Sequence, residues 1–370
     1  MLPDKFSVEI EYKNTQALLT SSAKFWEEMH SLPTAHVPDF FSHPDALHSW
    51  ITMAPNDAKF VVSKLKHGGE TKGVALFSLY FRRLGVLGSE KTLTLLRSGN
   101  PEIDKIWPEY VQPRCEKNLE HLTQAWWQET LKLTNCHLLE VKSIPAKWVV
   151  LAGDGHPNQV WLERVCKSSA IQLSGALPWT RSIRRQNRQT EQYADTHLGG
   201  RLQLEEVSPS NYQMVLEQHQ QWHIDKWANT QTPSALTSPY FTRWLYRLLA
   251  RTAAPMAKMY RAYTREQTVG ICIILDSKPW AGFYLASLLP QPSNHWHIGT
   301  WLHCRIAELL KSSGDYLLYD FMDGESEYKS ILGNHSTCFV DATWFNKNHW
   351  RSQLQIWLIQ ALKRGSIINN

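Results

Sequence analysis

Two distant stretches of the chain show the same alternation of apolar and polar residues. Residues Lys59–Tyr80 contain two apolar runs joined by a turn with paired glycines, and residues Lys258–Leu275 contain two apolar runs joined by a polar turn. Short apolar runs joined in this way are typical of β-hairpins. Gly73 and Gly270 occupy matching places, 197 positions apart, so the pattern predicts an internal repeat.

The segments after each hairpin also repeat in order. In the first half, an apolar run at 91–98 precedes helical sequence over Glu116–Leu133 and a further apolar run at 136–144. In the second half, the corresponding segments are an apolar run at 280–289, helical sequence over Gly299–Lys311 and a last run at 315–324. Amphipathic helical sequence precedes both hairpins, over Ala23–His30, Tyr212–Trp227 and Tyr240–Arg251. This order predicts an α/β (α+β) fold with mixed, mostly antiparallel sheets flanked by helices.

The length of the chain and a polar stretch near its middle predict two domains. The 370 residues exceed the ~100–200 residues of an ordinary domain. Residues 177–200 are polar and include a cluster of arginines and two adjacent glycines. We therefore expect an N-terminal domain over residues 1–178 and a C-terminal domain over 179–370, closed by an amphipathic helix over Trp350–Lys363.

Composition excludes several classes of function. The six cysteines show no metal or redox spacing, and Gln220 replaces the glutamate that a zinc motif would need between His219 and His223, so we expect buried thiols and no metal. A net charge of +5 suits an anionic ligand without implying nucleic acid. No apolar run approaches the ~18 residues of a membrane helix, and the N-terminus lacks a signal-peptide pattern. The sequence therefore predicts a cytoplasmic protein with no membrane span.

The segment YDFMDGESEYK, residues Tyr319–Lys329, carries the most specific pattern, in which an aspartate at 320 precedes Gly-x-x-x-Tyr-Lys. It resembles the end of the core of the GNAT superfamily. More narrowly, it resembles the tandem-GNAT acetyltransferases of bacterial cellulose and exopolysaccharide synthesis (the CelD/BcsL-like family), which are distant relatives of the FemABX transferases. Three weaker matches are RSIRRQNRQ (Arg181–Gln189), GNPEIDKIWPEY (Gly99–Tyr110) and HIGTW (His297–Trp301).

The sequence departs from that family in three places. The GNAT phosphate loop survives only as Gly299, and Ser326 stands where the family often carries a carboxylate. The first half has LLEVKSIPAKW in place of the Gly-x-x-x-Tyr-Lys tail. The resemblance therefore implies that the N-terminal domain is a degenerate copy that shapes the acceptor cleft.

The resemblance implies an N-acyltransferase. The donor substrate would be an acyl-CoA, first of all acetyl-CoA. The acceptor would be an amino group of a sugar, an amino acid or another small-molecule or cell-envelope precursor, and no nucleic acid is expected. Transfer would be direct, with no covalent enzyme intermediate.

The resemblance also assigns roles to residues. Tyr328 would protonate the leaving thiolate, and Asp320, Asp323 and Glu325 are further candidates for proton transfer. The donor would contact the helix start, the backbone of the preceding strand and a lysine: Ile298, Gly299, Thr300, Tyr284, Leu285, Ala286 and Lys329. The acceptor would contact Asp104, Glu109, Tyr110, His223 and Asp225. A helix start suits the donor because its unpaired N–H groups and dipole attract anions.

Two other functions stay open at this point. Arg181, Arg184, Arg185 and Arg188 would share one face of a helix, where they could grip phosphate or pair with acidic side chains. A phosphate-binding face favours a FemABX-like aminoacyl or peptidyl transferase supplied by aminoacyl-tRNA. The eroded phosphate loop favours a catalytically inactive tandem-GNAT binding module.

Overall fold

The structure is a computed structural model. It describes residues 3, 5–20, 23–32, 40–83, 89–97, 109–116, 119–149, 160–230, 233–250, 256–291, 293–324 and 326–357. Mostly antiparallel strands are flanked by helices in a mixed α/β fold. The chain divides into two compact units: Met1–Cys166 with Cys338–Asn370 form unit 1, and Lys167–Thr337 form unit 2.

The strands are β1 (Phe6–Asn14), β2 (Lys59–His67), β3 (Glu70–Arg83), β4 (Ser89–Leu95), β5 (Arg114–Cys115), β6 (Leu138–Pro145), β7 (Val160–Gln172), β8 (Gln203–Glu206), β9 (Ala257–Tyr263), β10 (Thr268–Ser277), β11 (Trp280–Leu288), β12 (Leu318–Asp320) and β13 (His335–Phe345). The helices are α1 (Thr15–Thr20), α2 (Ala23–Ser31), α3 (Pro44–Ile51), α4 (Thr123–Thr134), α5 (Arg181–His197), α6 (Tyr212–Trp227), α7 (Pro239–Leu249), α8 (Ile298–Ser313) and α9 (Glu327–Leu332).

Unit 1 orders its strands β1-β2-β3-β4-β6-β13, with β5 paired to β3. Neighbours are antiparallel except β4 and β6, which run parallel over three residue pairs from Thr92–Leu138 to Thr94–Glu140. The hairpin of β2 and β3 turns at two glycines with φ of +58° and +88°, a backbone that favours glycine. The indoles of Trp126 and Trp127 on α4 are fully buried in the core of this unit.

Unit 2 orders its strands β7-β12-β11-β10-β9-β8. The antiparallel strands β9, β10 and β11 form its centre, and β12 is parallel to β11. Helix α8 contacts β10 and β11, and α5 packs against α8. One hydrophobic core joins these elements, with Ile274, Leu302, Ile306 and Tyr319 all fully buried.

The structure confirms the predicted order of elements for the two hairpins, the strands that follow them and the helices α6 and α8. The predicted start of a helix at Glu116 is wrong: its N–H bonds to the carbonyl of Lys72 beside β5, and α4 begins at Thr123. Residues 350–357 are helical, and the rest of the predicted closing helix lies outside the described residues.

The compact units differ from the predicted segments 1–178 and 179–370. Residues from Cys338 onward group with unit 1, because β13 pairs with β6 from Phe339–Pro145 to Phe345–Leu138. The strands β1, β7, β8 and β13 are not predicted by the sequence pattern. Within the described residues, no helix combines the length and the apolar composition needed to cross a bilayer.

Candidate functional site

The centre of the candidate site is a fork between β11 and β12. Among the described residues, these parallel strands pair only from Trp280–Leu318 to Gly282–Asp320. Beyond this point β11 continues along β10 to Leu288, whereas Asp320 also pairs with Ala170 of β7. Within the described residues the ladder between β11 and β12 therefore ends at Gly282, and the two strands separate from this point on.

The base of the fork is closed by side chains. A Cβ atom at Gly282 would lie 2.2 Å from the Trp280 indole and 2.8 Å from Met322 Sδ, so only glycine fits between them. The buried Asp320 carboxylate accepts a hydrogen bond from Trp280 Nε1 at 3.2 Å and another from the Met322 N–H at 2.7 Å. Each carboxylate oxygen of Asp320 therefore accepts one hydrogen bond, and through these two bonds Asp320 anchors the turn after β12.

The turn after β12 leads into α9, which carries the predicted Tyr328 and Lys329. Met322 and Gly324 have φ of +64° and +100°, which places both in left-handed backbone. Asp323 Oδ1 accepts from the Gly324 N–H at 2.6 Å, and Lys329 Nζ donates to the carbonyl of Asp323 at 2.8 Å. Lys329 thus contacts the main chain of the turn, and it holds the start of α9 against the end of β12.

Tyr328 lies on α9 against an aromatic cluster. Its ring stacks on the imidazole of His303, with centroids 5.8 Å apart and planes 10° apart, and it meets the Phe321 ring edge-on at 6.1 Å. It nevertheless keeps 38% of its surface exposed. Burial of its ring raises the pKa of Tyr328 to about 12. The phenol therefore stays protonated at neutral pH and can act as an acid.

The start of α8 is tied to α5. The His297 N–H donates to Thr190 Oγ1 at 3.0 Å, and the Gln189 amide lies 3.1 Å from His295 Nδ1. The first N–H groups of a helix have no partner within the helix, here those of Ile298, Gly299 and Thr300. A Cβ at Gly299 would make only an ordinary contact, 3.4 Å from a Leu288 methyl, and φ there is not positive. Helix geometry alone therefore does not require this glycine.

The predicted donor contacts on β11 lie at a distortion of the strand. Ile273 faces Leu285 while Ile274 faces Phe283, so Tyr284 is the extra residue of a β-bulge. The Tyr284 ring packs between Phe241 and Trp244 of α7, at centroid distances of 5.8 and 5.7 Å. Leu285 is buried and Ala286 half-buried. The bulge turns the backbone of β11 at the place where the fork opens.

The predicted acceptor residues of α6 differ in their surroundings. His223 is half-buried, and its ring atom Nδ1 lies 2.7 Å from Ser234 Oγ. Its backbone N–H donates to Ser287 Oγ of β11 at 3.1 Å. Burial lowers the pKa of His223 to about 4, so its imidazole is neutral at pH 7. Asp225 is exposed and accepts a bond from the Gln221 side chain at 2.7 Å. His223 is therefore the better placed of the two to present a defined polar atom.

The predicted acceptor residues of the first half lie in unit 1 or outside the described residues. Tyr110 is 1% exposed and meets the Phe339 ring edge-on at 4.4 Å, so core packing accounts for it without a ligand. Glu109 beside it is half-buried. Asp104, and the candidate base Glu325 of unit 2, lie outside the described residues.

The four arginines of α5 share a solvent-exposed face. Arg181, Arg184, Arg185 and Arg188 are exposed, whereas Ile183 of the same helix is buried. Among the described residues no side chain forms an ion pair or hydrogen bond with any of these guanidinium groups. The expectation of pairing with acidic side chains is therefore not met in the described structure.

The side chains that hold Tyr328 in place carry no recognisable signal in the sequence. His303 and Tyr319 look like ordinary core positions, because both fall among apolar residues of a buried helix and strand. Trp280 likewise shows no motif, although it bonds the aspartate of the recognised segment. The pairing of β11 with β12 brings Trp280 to Asp320, and the position of α8 brings His303 to Tyr319 and Tyr328.

Part of the second unit is similar to a known protein family. Residues 180–330 match the family model of the acetyltransferase (GNAT) domain. Among curated proteins, none matches the sequence. Similar solved structures include a conserved protein of unknown function from Bacteroides thetaiotaomicron VPI-5482 (10% identity, 91% of this chain and 100% of that chain, TM-score 0.55). Two others are L-PGS from Bacillus licheniformis (9%, 92% and 96%, 0.51) and FemX (8%, 92% and 98%, 0.51).

At such low identities the similar structures show the fold alone. The family match is more specific, because it begins at the N-cap of α5 and ends within α9, beyond Tyr328. It thus spans the fork, the start of α8 and the tyrosine. Residues 180–330 of unit 2 are thus similar to a GNAT-type acetyltransferase domain.

Proposed function

We propose that unit 2 transfers an acyl group from an acyl-CoA, first of all acetyl-CoA, to the amino group of a sugar, an amino acid or a cell-envelope precursor. The observation that carries the proposal is the fork of β11 and β12 with Tyr328 beside it. Direct transfer needs a donor for the developing oxyanion, a place for the donor's phosphates and an acid for the thiolate. This region of unit 2 offers a candidate for each.

The backbone of β11 is our candidate for the oxyanion donor. Its N–H groups around Tyr284–Ala286 lie where the ladder to β12 has ended. A backbone N–H aimed at the thioester carbonyl would polarise it as charge develops on the oxygen. The unpaired N–H groups of Ile298, Gly299 and Thr300 would receive the phosphates of the donor, aided by the helix dipole.

The proposed reaction conserves protons. The amine attacks the thioester carbonyl, the new C–N bond forms, and the C–S bond breaks to release CoA thiolate. Tyr328 donates its phenolic proton to the sulfur and later regains one from water. The amine loses its extra proton to a base, for which Asp323 and Glu325 are the candidates. Asp320 already accepts two bonds, so we assign it the role of holding the turn.

The acceptor class rests on the resemblance of YDFMDGESEYK to enzymes of cellulose and exopolysaccharide synthesis. We therefore propose an amino group linked to polysaccharide synthesis as the first acceptor to examine. His223 would line the acceptor site, because its neutral imidazole is held by Ser234. Unit 1 lacks a counterpart of the tyrosine-lysine tail, and we propose that it is a degenerate copy.

A second candidate function is a FemABX-like aminoacyl transfer from aminoacyl-tRNA. The observation that favours it is the exposed arginine face of α5, which suits a phosphate-rich ligand. The two candidates differ in donor, so transfer assays with acyl-CoA and with aminoacyl-tRNA separate them.

The test of the proposal is acyl transfer by the full chain and by Tyr328→Phe. The variant keeps the ring that stacks on His303 and removes only the hydroxyl. We expect kcat to fall by about 10²–10⁴-fold, the usual contribution of a positioned acid, while the KM for acyl-CoA stays close to that of the wild type. Release of free thiol from acetyl-CoA and a panel of amino sugars and amino acids provides the measurement.

Turnover of Tyr328→Phe within a few-fold of the wild type would contradict the role of Tyr328. Binding of acyl-CoA without turnover of any acceptor would favour the inactive binding module. Tyr246→Phe is a matched control, because its hydroxyl lies 3.4 Å from Glu217 of α6 and has no part in the proposed chemistry.

A further inference from the structure

We infer that His303 is a positioning residue, a buried imidazole on which the acid Tyr328 is held in place. The inference rests on the proposed function and names a residue that the recognised segment does not contain. Tyr328 lies on a helix of six residues that comes after an irregular turn. A short helix of this kind gives little orientation by itself, so the ring needs support from other elements.

The support consists of rings from three other elements. His303 of α8 meets Phe283 of β11 edge-on at 4.6 Å and Phe321 edge-on at 5.1 Å, both at 87° between planes. Its remaining face carries Tyr328, nearly parallel at 10°. The His303 side chain is thus enclosed, and it is 3% exposed. Edge-on and stacked contacts of this kind favour one orientation of each ring.

A hydrogen bond fixes the rotation of the imidazole. His303 Nδ1 lies 2.8 Å from the hydroxyl of Tyr319, which is fully buried on β12. Burial lowers the pKa of His303 to about 3, and burial raises the pKa of Tyr319 above its usual value, so both groups are neutral at pH 7. Because burial lowers the pKa of His303 so far, this imidazole is too weak a base to take the proton of the acid that it supports.

The position of His303 along α8 links donor binding to the acid. His303 lies five residues after Ile298, about 7.5 Å along the axis at 1.5 Å per residue. The helix whose first N–H groups would bind the donor's phosphates therefore also carries the support of Tyr328. Phe283 touches the same imidazole one residue before the bulge at Tyr284. Phosphate site, thioester site and acid are connected through this side chain.

The test compares His303→Ala with Cys304→Ala in the full chain. Both remove a buried side chain from the same turn of α8, but Cys304 has no ring contact with Tyr328. We expect His303→Ala to lower kcat by about 10–100-fold with little change in the KM for acyl-CoA, because a misplaced acid affects chemistry more than binding. Cys304→Ala should keep kcat within about threefold of the wild type.

A rescue experiment separates positioning from loss of fold. His303→Phe keeps a flat ring under Tyr328 but leaves the buried Tyr319 hydroxyl without its partner. Adding Tyr319→Phe removes both partners, which is often nearly neutral for stability. We expect the double variant to recover most of the kcat that His303→Ala loses.

Fluorine NMR gives a readout that does not depend on turnover. The chain has 13 tyrosines, and the resonance of fluorinated Tyr328 is the one absent from Tyr328→Phe. His303→Ala should shift and broaden this resonance, and Cys304→Ala should not. A wild type inactive with every donor would contradict the proposed function, yet this measurement would still test the inference. An unchanged Tyr328 resonance in His303→Ala, or equal loss of kcat in Cys304→Ala, would overturn it.

Discussion

Units 1 and 2 share a design up to the end of a short parallel ladder. In unit 1, Thr92–Thr94 of β4 pair with Leu138–Glu140 of β6, and in unit 2, Trp280–Gly282 of β11 pair with Leu318–Asp320 of β12. In each unit a hairpin comes before this ladder, and a helix lies between its two strands in the chain. The order of elements is therefore common to both.

The units differ in the segments beyond the ladder. β4 ends one residue after it, at Leu95, whereas β11 continues for six residues and contains the bulge at Tyr284. Residues 96–122 separate β4 from α4, whereas only residues 289–297 separate β11 from α8. After β6 the described part of the chain forms a 3-10 turn at Ala146–Trp148, and after β12 it forms α9 with Tyr328. The comparison teaches that the shared core provides the fold and that the extensions of unit 2 provide the candidate chemistry.

The two units should differ most in how kcat responds to a substitution at the third residue pair of each ladder, Gly282–Asp320 in unit 2 and Thr94–Glu140 in unit 1. Asp320→Asn replaces one acceptor oxygen by an NH2 group that faces the Trp280 or Met322 N–H. We expect kcat to fall by about tenfold or more, because the turn that leads to Tyr328 loses an anchor. Glu140→Gln, at the matching position of unit 1, still accepts from the Tyr80 hydroxyl and should leave kcat unchanged. Equal effects of the two substitutions on kcat would break the comparison.

Each unit also holds a buried neutral histidine. Burial lowers the pKa of His303 to about 3 and that of His137 in unit 1 to about 4, from an ordinary 6.5. At a pH between the lowered pKa and 6.5, each imidazole is protonated in the unfolded chain and neutral in the folded chain. The free energy of unfolding therefore decreases as the pH falls below 6.5.

Urea unfolding at pH 7 and pH 5 measures this loss. His303→Gln should reduce the pH-dependent loss of unfolding free energy by about 2 kcal/mol, and His137→Gln by a similar amount. Only His303→Gln should also lower kcat. An unchanged pH dependence in His303→Gln would mean that this imidazole is protonated in the folded protein at pH 5.

The smallest expected effect concerns the arginine face of α5. Replacing both Arg184 and Arg185 by Gln should leave the melting temperature nearly unchanged, because both side chains are exposed. The affinity for inorganic polyphosphate should decrease several-fold, and the slope of log affinity against log salt should fall by about 0.7 for each arginine. Arg305→Gln is the control, since Arg305 pairs with Glu191 at 2.6 Å, and it should lower stability rather than binding. Unaltered binding by the double variant would contradict an anion-binding role of this face.

Much of unit 2 could be predicted from its sequence because its elements carry local signals. Hairpins show short apolar runs around polar turns, and α7 has an amphipathic pattern that buries Phe241, Trp244 and Leu248. The recognised segment lies at the end of β12 and on α9, the short helix that carries Tyr328. The strand β13 could not be placed, because its pairing with β6 joins residues almost 200 positions apart.

The site could be predicted only where a motif exists. Tyr328, Lys329 and Gly299 belong to recognisable segments, and the structure brings the first two to the end of β12. His303 gives no signal, since a lone histidine among apolar residues is typical of a core position. Its contact with Tyr328 depends on the packing of α8 against α9, which no local pattern encodes.

The most direct test of the central claim is donor binding at the start of α8, measured by calorimetry with acetyl-CoA. Gly299→Asp places a negative charge among the unpaired N–H groups, where the fold has room for it and the helix dipole favours it. Gln124→Asp makes the matching change at the second residue of α4 in unit 1. We predict that Gly299→Asp weakens acetyl-CoA binding by about tenfold or more while Gln124→Asp binds as the wild type does. Equal affinity of all three proteins, or no binding by the wild type at millimolar ligand, would contradict the assignment of acyl transfer to unit 2.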